Sequence, residues 1–327
     1  MRILLISNQG MKDGIIGNPI MLRMRNALKS DGRIKDVFML RCKNPFAVRR
    51  ELREYAKQAD IIHIHFGGVY ALIVWFLLIG VKSPKLITFH GTDIHAKSIK
   101  STKSNKVKLR IKLNQWASFM SLFLFDKVGF VASDMLDYVP NCLKRKVSGK
   151  VFIQKLGVDY NLFVKDDKMQ SLSVLNLDPN YKYILFSDIS DSSIKRRDIA
   201  QEIVEKLGSP YRLNIMCGVT PNDVPLYINA SDFLLLTSDE EGSPNIIREC
   251  LSLDKPIFSV NVGDVKMQIE GLVNSSIISR KPDEAALRIK EVLALPYTDN
   301  TREKKRSVLD INILTKEIVD IYQQLAK

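Results

Sequence analysis

The densest group of side chains able to do chemistry runs from the strand-like segment Phe233–Thr237 to Glu249. Ser243 and Pro244 predict a helix start there, with serine as the cap and proline in the first helical position. The main-chain N–H groups of Gly242–Ile246 would then point out of the helix N-terminus, and Gly242 lets an anion approach closely. Such an arrangement binds phosphate through the backbone alone.

Two carboxylates flank this helix start. Glu241 precedes it, and Glu249 lies about a turn and a half inside, so the rise of ~1.5 Å per residue separates them by several ångströms. They could bracket a polyhydroxylated ligand, with a hexose at one end and a ribose at the other. The alternative is a capped surface helix whose acidic residues are favoured by the helix dipole.

Two further segments carry candidate groups at strand ends. His90 follows the strand-like run Leu86–Phe89, Gly91 allows a sharp turn, and Asp93 could orient a neighbour or contact a sugar hydroxyl. A lone histidine is more often structural, but the turn favours a site here. Lys195-Arg196-Arg197 arrives at a helix start after another strand, where a cation could neutralise a diphosphate leaving group. A solvated basic helix start is the alternative.

These groups need elements to position them, and the hydrophobic pattern predicts two series of strands alternating with helices. Such alternation is typical of open parallel α/β sheets. The predicted strands are Arg2–Ser7, Val37–Leu40, Ile61–His65, Leu86–Phe89 and Lys127–Val131, then Tyr183–Ser187, Arg212–Met216, Phe233–Leu236, Pro256–Val260 and Ser276–Ser279. The predicted helices are Pro19–Lys29, Pro45–Gln58, Val69–Leu78, a basic stretch ending near Phe125, Lys195–Leu207, Pro244–Leu253, Pro282–Leu293 and Leu309–Ala326.

A polar stretch between Lys165 and Asn180 separates the two series and predicts the domain boundary. We expect a first Rossmann-like domain over residues 1–170, joined by the C-terminal helix at 309–327, and a second over residues 171–308. In such sheets ligands bind beyond the carboxyl ends of the strands, which predicts a cleft between the two domains as the site.

The composition and net charge of the chain favour some classes of binding partner over others. The 327 residues are 46% hydrophobic with a net charge of +13, which favours anionic partners. The chain enters a strand at once without a signal-peptide cleavage site, so we expect a cytoplasmic protein. Lys97–Lys112 is basic and is followed by Trp116, Phe119 and Phe123. This predicts either docking on the inner face of an anionic membrane or a solvated basic helix face. Nucleic-acid binding is disfavoured because no recognised module is present.

Two possible metal or redox signals are weak. Four scattered cysteines show no metal-like spacing, which favours reduced thiols used mainly as small core residues. His63 and His65 share one strand face but have no third ligand spaced nearby, so core or cleft-edge histidines are favoured over zinc.

With these residues in place, a resemblance emerges. Glu241 and Glu249 have the E-x7-E spacing of the retaining, family-4-like GT-B glycosyltransferases, and Glu-Gly-Ser-Pro-Asn is similar to that family's motif. Tyr227–Asp232 and Lys255–Gly263 resemble the flanking segments, and Gly157–Phe163 resembles the family's Gly-Val-Asp…Phe element. The resemblance implies two Rossmann-like domains, transfer from a nucleotide-sugar, and a role in exopolysaccharide or cell-envelope glycan synthesis.

The resemblance also implies roles. Glu241 and His90 would contact the transferred sugar, with Asp93 as a further cleft candidate. The nucleoside would be bound by Glu249, Gly218 and Val219. The donor diphosphate and sugar would be held by Lys195, Arg196, Gly242, Ser243, Pro244, Asn245 and Ile246. Gly17 and Asn18, in the loop after the first strand, would face the donor phosphates and the acceptor.

The chain departs from the family at one point, because Ser187-Asp188 stands where an arginine is expected. Which group completes the charge on the diphosphate therefore stays open, with Arg196 as one candidate. No Asp-x-Asp occurs, which argues against the other large glycosyltransferase fold, so we predict no metal and no other cofactor.

The expected reaction moves a hexose or N-acetylhexosamine, from UDP more often than from GDP, to a hydroxyl of a glycan or lipid-linked acceptor. Anomeric configuration would be retained, the leaving phosphate would help to deprotonate the acceptor, and Glu241 would position the sugar and stabilise charge. The alternatives are a nucleotide-sugar epimerase or hydrolase of the same fold, and a non-catalytic nucleotide-sugar-binding protein. A dinucleotide-dependent oxidoreductase is disfavoured, because Gly10, Gly14 and Gly17 do not form GxGxxG.

Overall fold

The computed structural model describes residues 1–8, 19–91, 93–94, 104–188 and 193–326. The chain forms two compact units. One contains Met1–Gly157 together with Ile311–Lys327, and the other contains Val158–Asp310.

The first unit is built on a six-stranded sheet in the order β2-β1-β3-β4-β5-β6, in which all neighbouring strands are parallel. The strands are β1 (Arg2–Ser7), β2 (Asp36–Arg41), β3 (Ile61–His65), β4 (Lys85–Phe89), β5 (Lys127–Phe130) and β6 (Val151–Ile153). The helices are α1 (Pro19–Ser30), α2 (Arg49–Gln58), α3 (Val69–Leu77), α4 (Asn105–Leu124) and α5 (Asn141–Val147). Apolar side chains fill both faces of the sheet, as a parallel sheet covered by helices requires.

The second unit has a five-stranded sheet in the order β11-β10-β9-β7-β8, again parallel throughout. Its strands are β7 (Lys182–Ser187), β8 (Tyr211–Met216), β9 (Phe233–Leu236), β10 (Ile257–Ser259) and β11 (Ser276–Ile277). Its helices are α6 (Lys168–Val174), α7 (Arg197–Leu207), α8 (Val224–Ala230), α9 (Asn245–Ser252), α10 (Val265–Gln268), α11 (Pro282–Leu293), α12 (Thr301–Lys304) and α13 (Arg306–Leu309). The prediction of two parallel α/β sheets is confirmed.

The last helix, α14 (Ile311–Leu325), belongs to the first unit. Ile318, Val319 and Tyr322 are buried with the inward side chains of β1 and α1. Gly157 permits this return, because a Cβ atom built there would lie 2.4 Å from the Cα of Ile311. The sequence of α14 has the apolar stripe that such packing needs.

The division of the chain differs from the sequence-based one. Residues 158–170 lie with the second unit, because the Val158 N–H donates to the Leu309 carbonyl at 2.7 Å and Phe163 is fully buried in the second core. The polar stretch predicted as the domain boundary contains α6, whose N-cap is the Asp167 carboxylate accepting from the Gln170 N–H. A short helix held by its cap leaves little periodic signal in the sequence.

Candidate functional site

The second sheet reverses its winding direction at β7, which lies between β8 and β9. In open parallel sheets this reversal leaves a crevice at the carboxyl ends of the two strands, and ligands bind there. The loops after β7 and β9 are those that carry Lys195 and Glu241. The structure therefore places two of the predicted site residues of this unit on loops at the reversal point.

Lys195 and Glu241 meet directly. The Lys195 Nζ atom lies 2.6 Å from Glu241 Oε1, with 26% and 14% of the two side chains exposed. The Ser238 hydroxyl donates to the same carboxylate oxygen at 2.8 Å. Two hydrogen bonds to main-chain carbonyls also join the loops. The Thr237 hydroxyl donates to the Lys195 carbonyl, and the Asp239 N–H donates to the Ile194 carbonyl. A lysine and a glutamate are thus held together on a rigid base.

The helix start differs from the predicted one. Helix α9 begins at Asn245 with Pro244 in the cap position, and no side chain caps it. The prediction that Ser243 caps the helix was wrong, because its hydroxyl donates to Asp264 at 2.5 Å and accepts from Arg248. Among the described residues, no acceptor contacts the main-chain N–H groups of Asn245 and Ile246. These N–H groups remain available to an anion.

Arg248 is a residue that the sequence reasoning missed. It is 6% exposed and donates to the hydroxyl and carbonyl of Ser243 and to the side-chain oxygen of Asn245. Its guanidinium lies 3.9 Å from the Asp264 carboxylate. Arg248 therefore fixes the turn before α9 from inside the helix. The only signal in the sequence was an arginine among the apolar residues of this helix.

The turn after β10 supports the same backbone from behind. Gly263 has a φ of +54°, and a Cβ atom built on it would lie 2.2 Å from the Gly242 carbonyl oxygen. The Asp264 N–H donates to that oxygen at 3.2 Å. The Gly263–Asp264 turn thus sets the position of Gly242.

The predicted nucleoside residues lie on two elements. Glu249 is 7% exposed in the second turn of α9, and its main-chain carbonyl accepts from the Ser252 hydroxyl. Gly218 and Val219 follow β8, where Gly218 is exposed with a φ of +66°. The structure thus joins Lys195 directly to Glu241, and it leaves Gly218 and Val219 on a separate loop.

Arg196 and Arg197 have carboxylate partners of their own. Arg196 donates to Asp198 and Asp239, whereas Arg197 donates to Asp188 at 2.9 Å. Asp188 is 1% exposed, so its charge needs a partner inside the protein. The residue that replaces the expected arginine is thus neutralised by the arginine nine positions later.

In the first unit, His90 lies at the end of β4. Its ring stacks on Phe66 with centroids 4.1 Å apart, and its Nε2 atom is 3.1 Å from His65 Nδ1. Both carboxylate oxygens of Asp93 accept main-chain N–H groups, from Gly67, His90 and Gly91. Asp93 therefore organises the turn that carries His90, which is the orienting role among its two predicted ones. Burial raises the pKa of Asp93, and these N–H donors oppose that effect.

The two histidines form a hydrogen-bonded pair in which one of the nitrogens, His65 Nδ1 or His90 Nε2, must carry the shared proton. Burial lowers the pKa of His90 from 6.5 to about 3, so its ring is neutral at physiological pH. A neutral imidazole still has one N–H to donate.

His63, on the same face of β3, is fully buried in a directed hydrogen-bond chain. Thr88 donates to the Gln154 side-chain oxygen, so it must accept from His63 Nε2 at 2.8 Å. His63 Nδ1 then accepts from the Tyr322 hydroxyl at 2.6 Å. Both ring nitrogens of His63 are satisfied by protein groups. The histidine pair on β3 is thus buried and hydrogen-bonded, in keeping with its expected structural role.

Two of the predicted site residues lie in a part of the chain that the structure does not describe. Gly17 and Asn18, assigned to the phosphate and acceptor loop, lie outside the described residues, as do Gly10 and Gly14. Among the residues that are described, no group of three or more His, Cys, Asp or Glu side chains is arranged to hold a metal ion. Metal independence stays a prediction.

Comparison with solved structures shows which fold these two units form. The chain is similar to sucrose-phosphate synthase from Thermosynechococcus elongatus, with a TM-score of 0.77, 15% identity, and coverage of 99% of this chain and 98% of that chain. It is also similar to HepE from Anabaena in complex with UDP-glucose, with a TM-score of 0.73, 13% identity, and coverage of 99% and 100%. The chain has the GT-B fold.

Other structures are also similar. UDP-GlcNAc 2-epimerase from Neisseria meningitidis, bound to UDP-GlcNAc, matches with a TM-score of 0.61, 12% identity, and coverage of 99% of this chain and 100% of that chain. No protein-family model and no curated protein sequence matches the chain. At identities this low the similarity establishes the GT-B fold alone. The activity has to be inferred from the residues of the candidate site.

Proposed function

We propose that this GT-B protein is a glycosyltransferase that takes a hexose or N-acetylhexosamine from a nucleotide-sugar. The observation that carries the proposal is the Lys195–Glu241 pair at the reversal point of the second sheet, beside the N–H groups that begin α9. A cation and a row of N–H groups suit a pyrophosphate, and a carboxylate beside them suits sugar hydroxyls.

The pair also gives a mechanism for donor binding. In the absence of donor, Lys195 and Glu241 neutralise one another. A pyrophosphate carries more charge than one carboxylate and competes for Lys195, which releases Glu241 to accept from hydroxyls of the transferred sugar. Glu249, Gly218 and Val219 would bind the nucleoside, and Ser243, Pro244 and Arg196 would border the diphosphate.

His90 of the first unit would donate a ring N–H to the transferred sugar. A neutral donor suits this task, because a cation would oppose the positive charge that develops on the sugar during transfer. Gly17 and Asn18 remain candidates for the phosphates and the acceptor. We propose uridine as the base, supported by the UDP-glucose bound to HepE.

The acceptor would be a hydroxyl of a glycan or of a lipid-linked saccharide, and the anomeric configuration would be retained, as the E-x7-E resemblance implies. The leaving phosphate would take the acceptor proton, with no metal ion or other cofactor. Glu241 would position the sugar and stabilise charge without forming a covalent bond.

The test combines binding with turnover. Lys195→Ala should weaken binding of UDP-glucose, measured by calorimetry, by about tenfold to a hundredfold, because a hydrogen bond to a charged group contributes ~1.5–3 kcal/mol. Lys206→Ala, in a lysine of α7 paired with Asp283 at 2.9 Å, is the matched control and should leave binding unchanged. Glu241→Ala and Glu249→Ala should lose sugar transfer while staying folded.

Several outcomes would contradict the proposal. If a panel of UDP- and GDP-sugars neither binds nor raises the melting temperature, the site does not take a nucleotide-sugar. Tight donor binding without transfer to any glycan or lipid-linked acceptor would support a binding protein. Conversion of the donor without an acceptor would support an epimerase or hydrolase, and binding of NAD would support an oxidoreductase.

A further inference from the structure

Helix α4 of the first unit has small residues on its buried face and large apolar residues on its exposed face. Its buried residues are mostly small, namely Ala117, Ser118, Ser121 and Leu122. Five of its large apolar side chains are exposed instead: Leu109 by 67%, Leu113 by 53%, Trp116 by 57%, Met120 by 37% and Phe123 by 38%. These five residues recur at alternating spacings of four and three, so they form one continuous stripe along the helix. We call them the apolar stripe.

Small residues on the inner face have a structural reason. The Ser118 hydroxyl accepts from the Gly68 N–H at 2.9 Å, and a Cβ atom on Gly67 would lie 2.7 Å from that hydroxyl oxygen. The loop before α3 thus needs small residues on α4 for close packing. This packing does not require large apolar residues on the opposite face of α4. Their exposure to water lowers the solubility of the protein.

The charges around the apolar stripe have one sign. At 100° per residue, Lys106 and Lys112 lie about 60° to either side of Leu109, with Arg110 and Lys108 about 100° to either side. Helix α4 contains no acidic residue, and none of the four cations forms an ion pair within the described ranges. The stripe is therefore bordered by cations on both sides.

Exposed apolar side chains also occur at the end of α3. Trp75 donates its indole N–H to the Leu124 carbonyl at 3.0 Å, which ties the end of α3 to the end of α4. Next to Trp75, Phe76 is 57% exposed, and Ile79 just beyond the helix is 56% exposed. Aromatic and aliphatic groups are thus presented at the same end of the helix pair as Phe123.

We propose that α4 docks the protein on an anionic lipid bilayer, with the apolar stripe inserted at the level of the headgroups and the flanking cations on lipid phosphates. Exposed Trp, Phe and Leu side chains with Lys and Arg at their borders are the chemistry of interfacial helices. Pairing with a second copy of the chain is disfavoured, because it would bring two sets of cations together. Among the described helices, none has the length and hydropathy of a membrane-spanning segment.

The experiment uses the full chain and lipid vesicles. The protein contains only two tryptophans, so Trp75→Phe leaves Trp116 as the sole indole. Vesicles of phosphatidylcholine with about a third phosphatidylglycerol should shift its emission to the blue, and brominated lipids should quench it. Pure phosphatidylcholine vesicles should give a smaller change, and high salt should weaken binding.

Two pairs of variants separate charge from apolar contact. Lys108→Glu with Lys112→Glu should lower vesicle partitioning by at least about tenfold. Lys281→Glu with Lys290→Glu, at exposed positions at the N-cap and on the surface of α11 in the other unit, changes the net charge equally and should have little effect. Leu109→Ser with Leu113→Ser should also lower partitioning, whereas Leu287→Ser, at 61% exposure on α11, should not.

Three results would overturn the proposal. One is equal partitioning of wild type and the α4 variants, and another is equal loss in the α11 controls. The third is a smaller sedimentation coefficient of the Leu109→Ser, Leu113→Ser protein in the absence of lipid, which would make the stripe a self-association surface. None of these measurements depends on sugar transfer, so the outcome is independent of the proposed enzymatic activity.

Discussion

The buried side chain of His63 makes the stability of the first unit depend on pH. Burial, and to a smaller extent the nearby His90, lowers its pKa from 6.5 to about 3. The folded protein therefore keeps His63 neutral at pH values where the unfolded chain protonates it. The histidine is held in that form because Thr88 requires a donor at Nε2 and Tyr322 supplies one to Nδ1.

This coupling predicts the pH dependence of stability. Between pH 6.5 and about 3 the unfolded state binds the extra proton, so the free energy of unfolding of the first unit falls as the pH is lowered. The slope contributed by His63 is at most about 1.4 kcal/mol per pH unit. Urea unfolding between about pH 7 and about pH 5 should show a shallower slope for His63→Asn than for wild type. Parallel slopes would mean that the pKa of His63 is the same in the folded and unfolded states.

Glu241 and Lys195 were each predicted from the sequence, but their direct contact was not. Glu241 was predicted from its spacing to Glu249 and Lys195 from its place in the loop after a strand, and the fold brings the two to 2.6 Å. Arg248 and the Asp188–Arg197 pair were not predicted, since their partners lie on other turns of the chain. The cap at Ser243 was wrong because Asp264, which attracts its hydroxyl, is distant in sequence.

At the scale of single elements, the turn at Gly263 controls the backbone of the candidate site. A side chain there would need both a positive φ and the space occupied by the Gly242 carbonyl. Gly271 has a similar φ of +76° but no heavy atom within 4 Å of a built Cβ. The two glycines therefore separate backbone strain from steric displacement.

We predict that Gly271→Ala costs on the order of 1–2 kcal/mol from the left-handed backbone alone. Gly263→Ala should cost more and should also weaken nucleotide-sugar binding, because Gly242 must move. Thermal unfolding and calorimetry measure the two effects. The interpretation fails if Gly263→Ala and Gly271→Ala are equally stable and bind the donor equally.

The strand and helix pattern was more predictable than the element ends. Long periodic or fully apolar segments such as β1 and α11 were predicted with their observed bounds. Short ones such as β6 and α6 were missed, because three to seven residues carry little hydrophobic pattern. Helix α4 was predicted correctly although its basic half alternates like a strand, since the aromatic residues that follow have helical spacing.

At the scale of the molecule, each unit has its own core, and α14 completes the first one. Tyr322 is fully buried there and also supplies the hydrogen bond to His63. No side chain of α14 belongs to the core of the second unit. Damage to α14 should therefore act on one core only.

We predict that Tyr322→Ala lowers the unfolding free energy of the first unit by about 3–5 kcal/mol, the usual cost of removing a buried aromatic ring. Tyr322→Phe should cost about 1–3 kcal/mol, because only the hydroxyl that serves His63 is lost. Hydrogen exchange read by mass spectrometry can follow β1 and β7 separately. Faster exchange in β7 of the Tyr322→Ala protein would show that the two cores are not independent.

The chain enters the second unit at Val158 and leaves it at Asp310, and these residues are neighbours in an isolated parallel bridge. The Val158–Asp310 segment is thus an inserted domain whose two ends lie side by side, and the first unit is formed by the chain before and after it. Adjacent ends are the geometry in which the insertion of a domain is tolerated. If the second unit binds the donor as proposed, replacing residues 158–310 as one block would change the donor preference and leave the first unit unaltered.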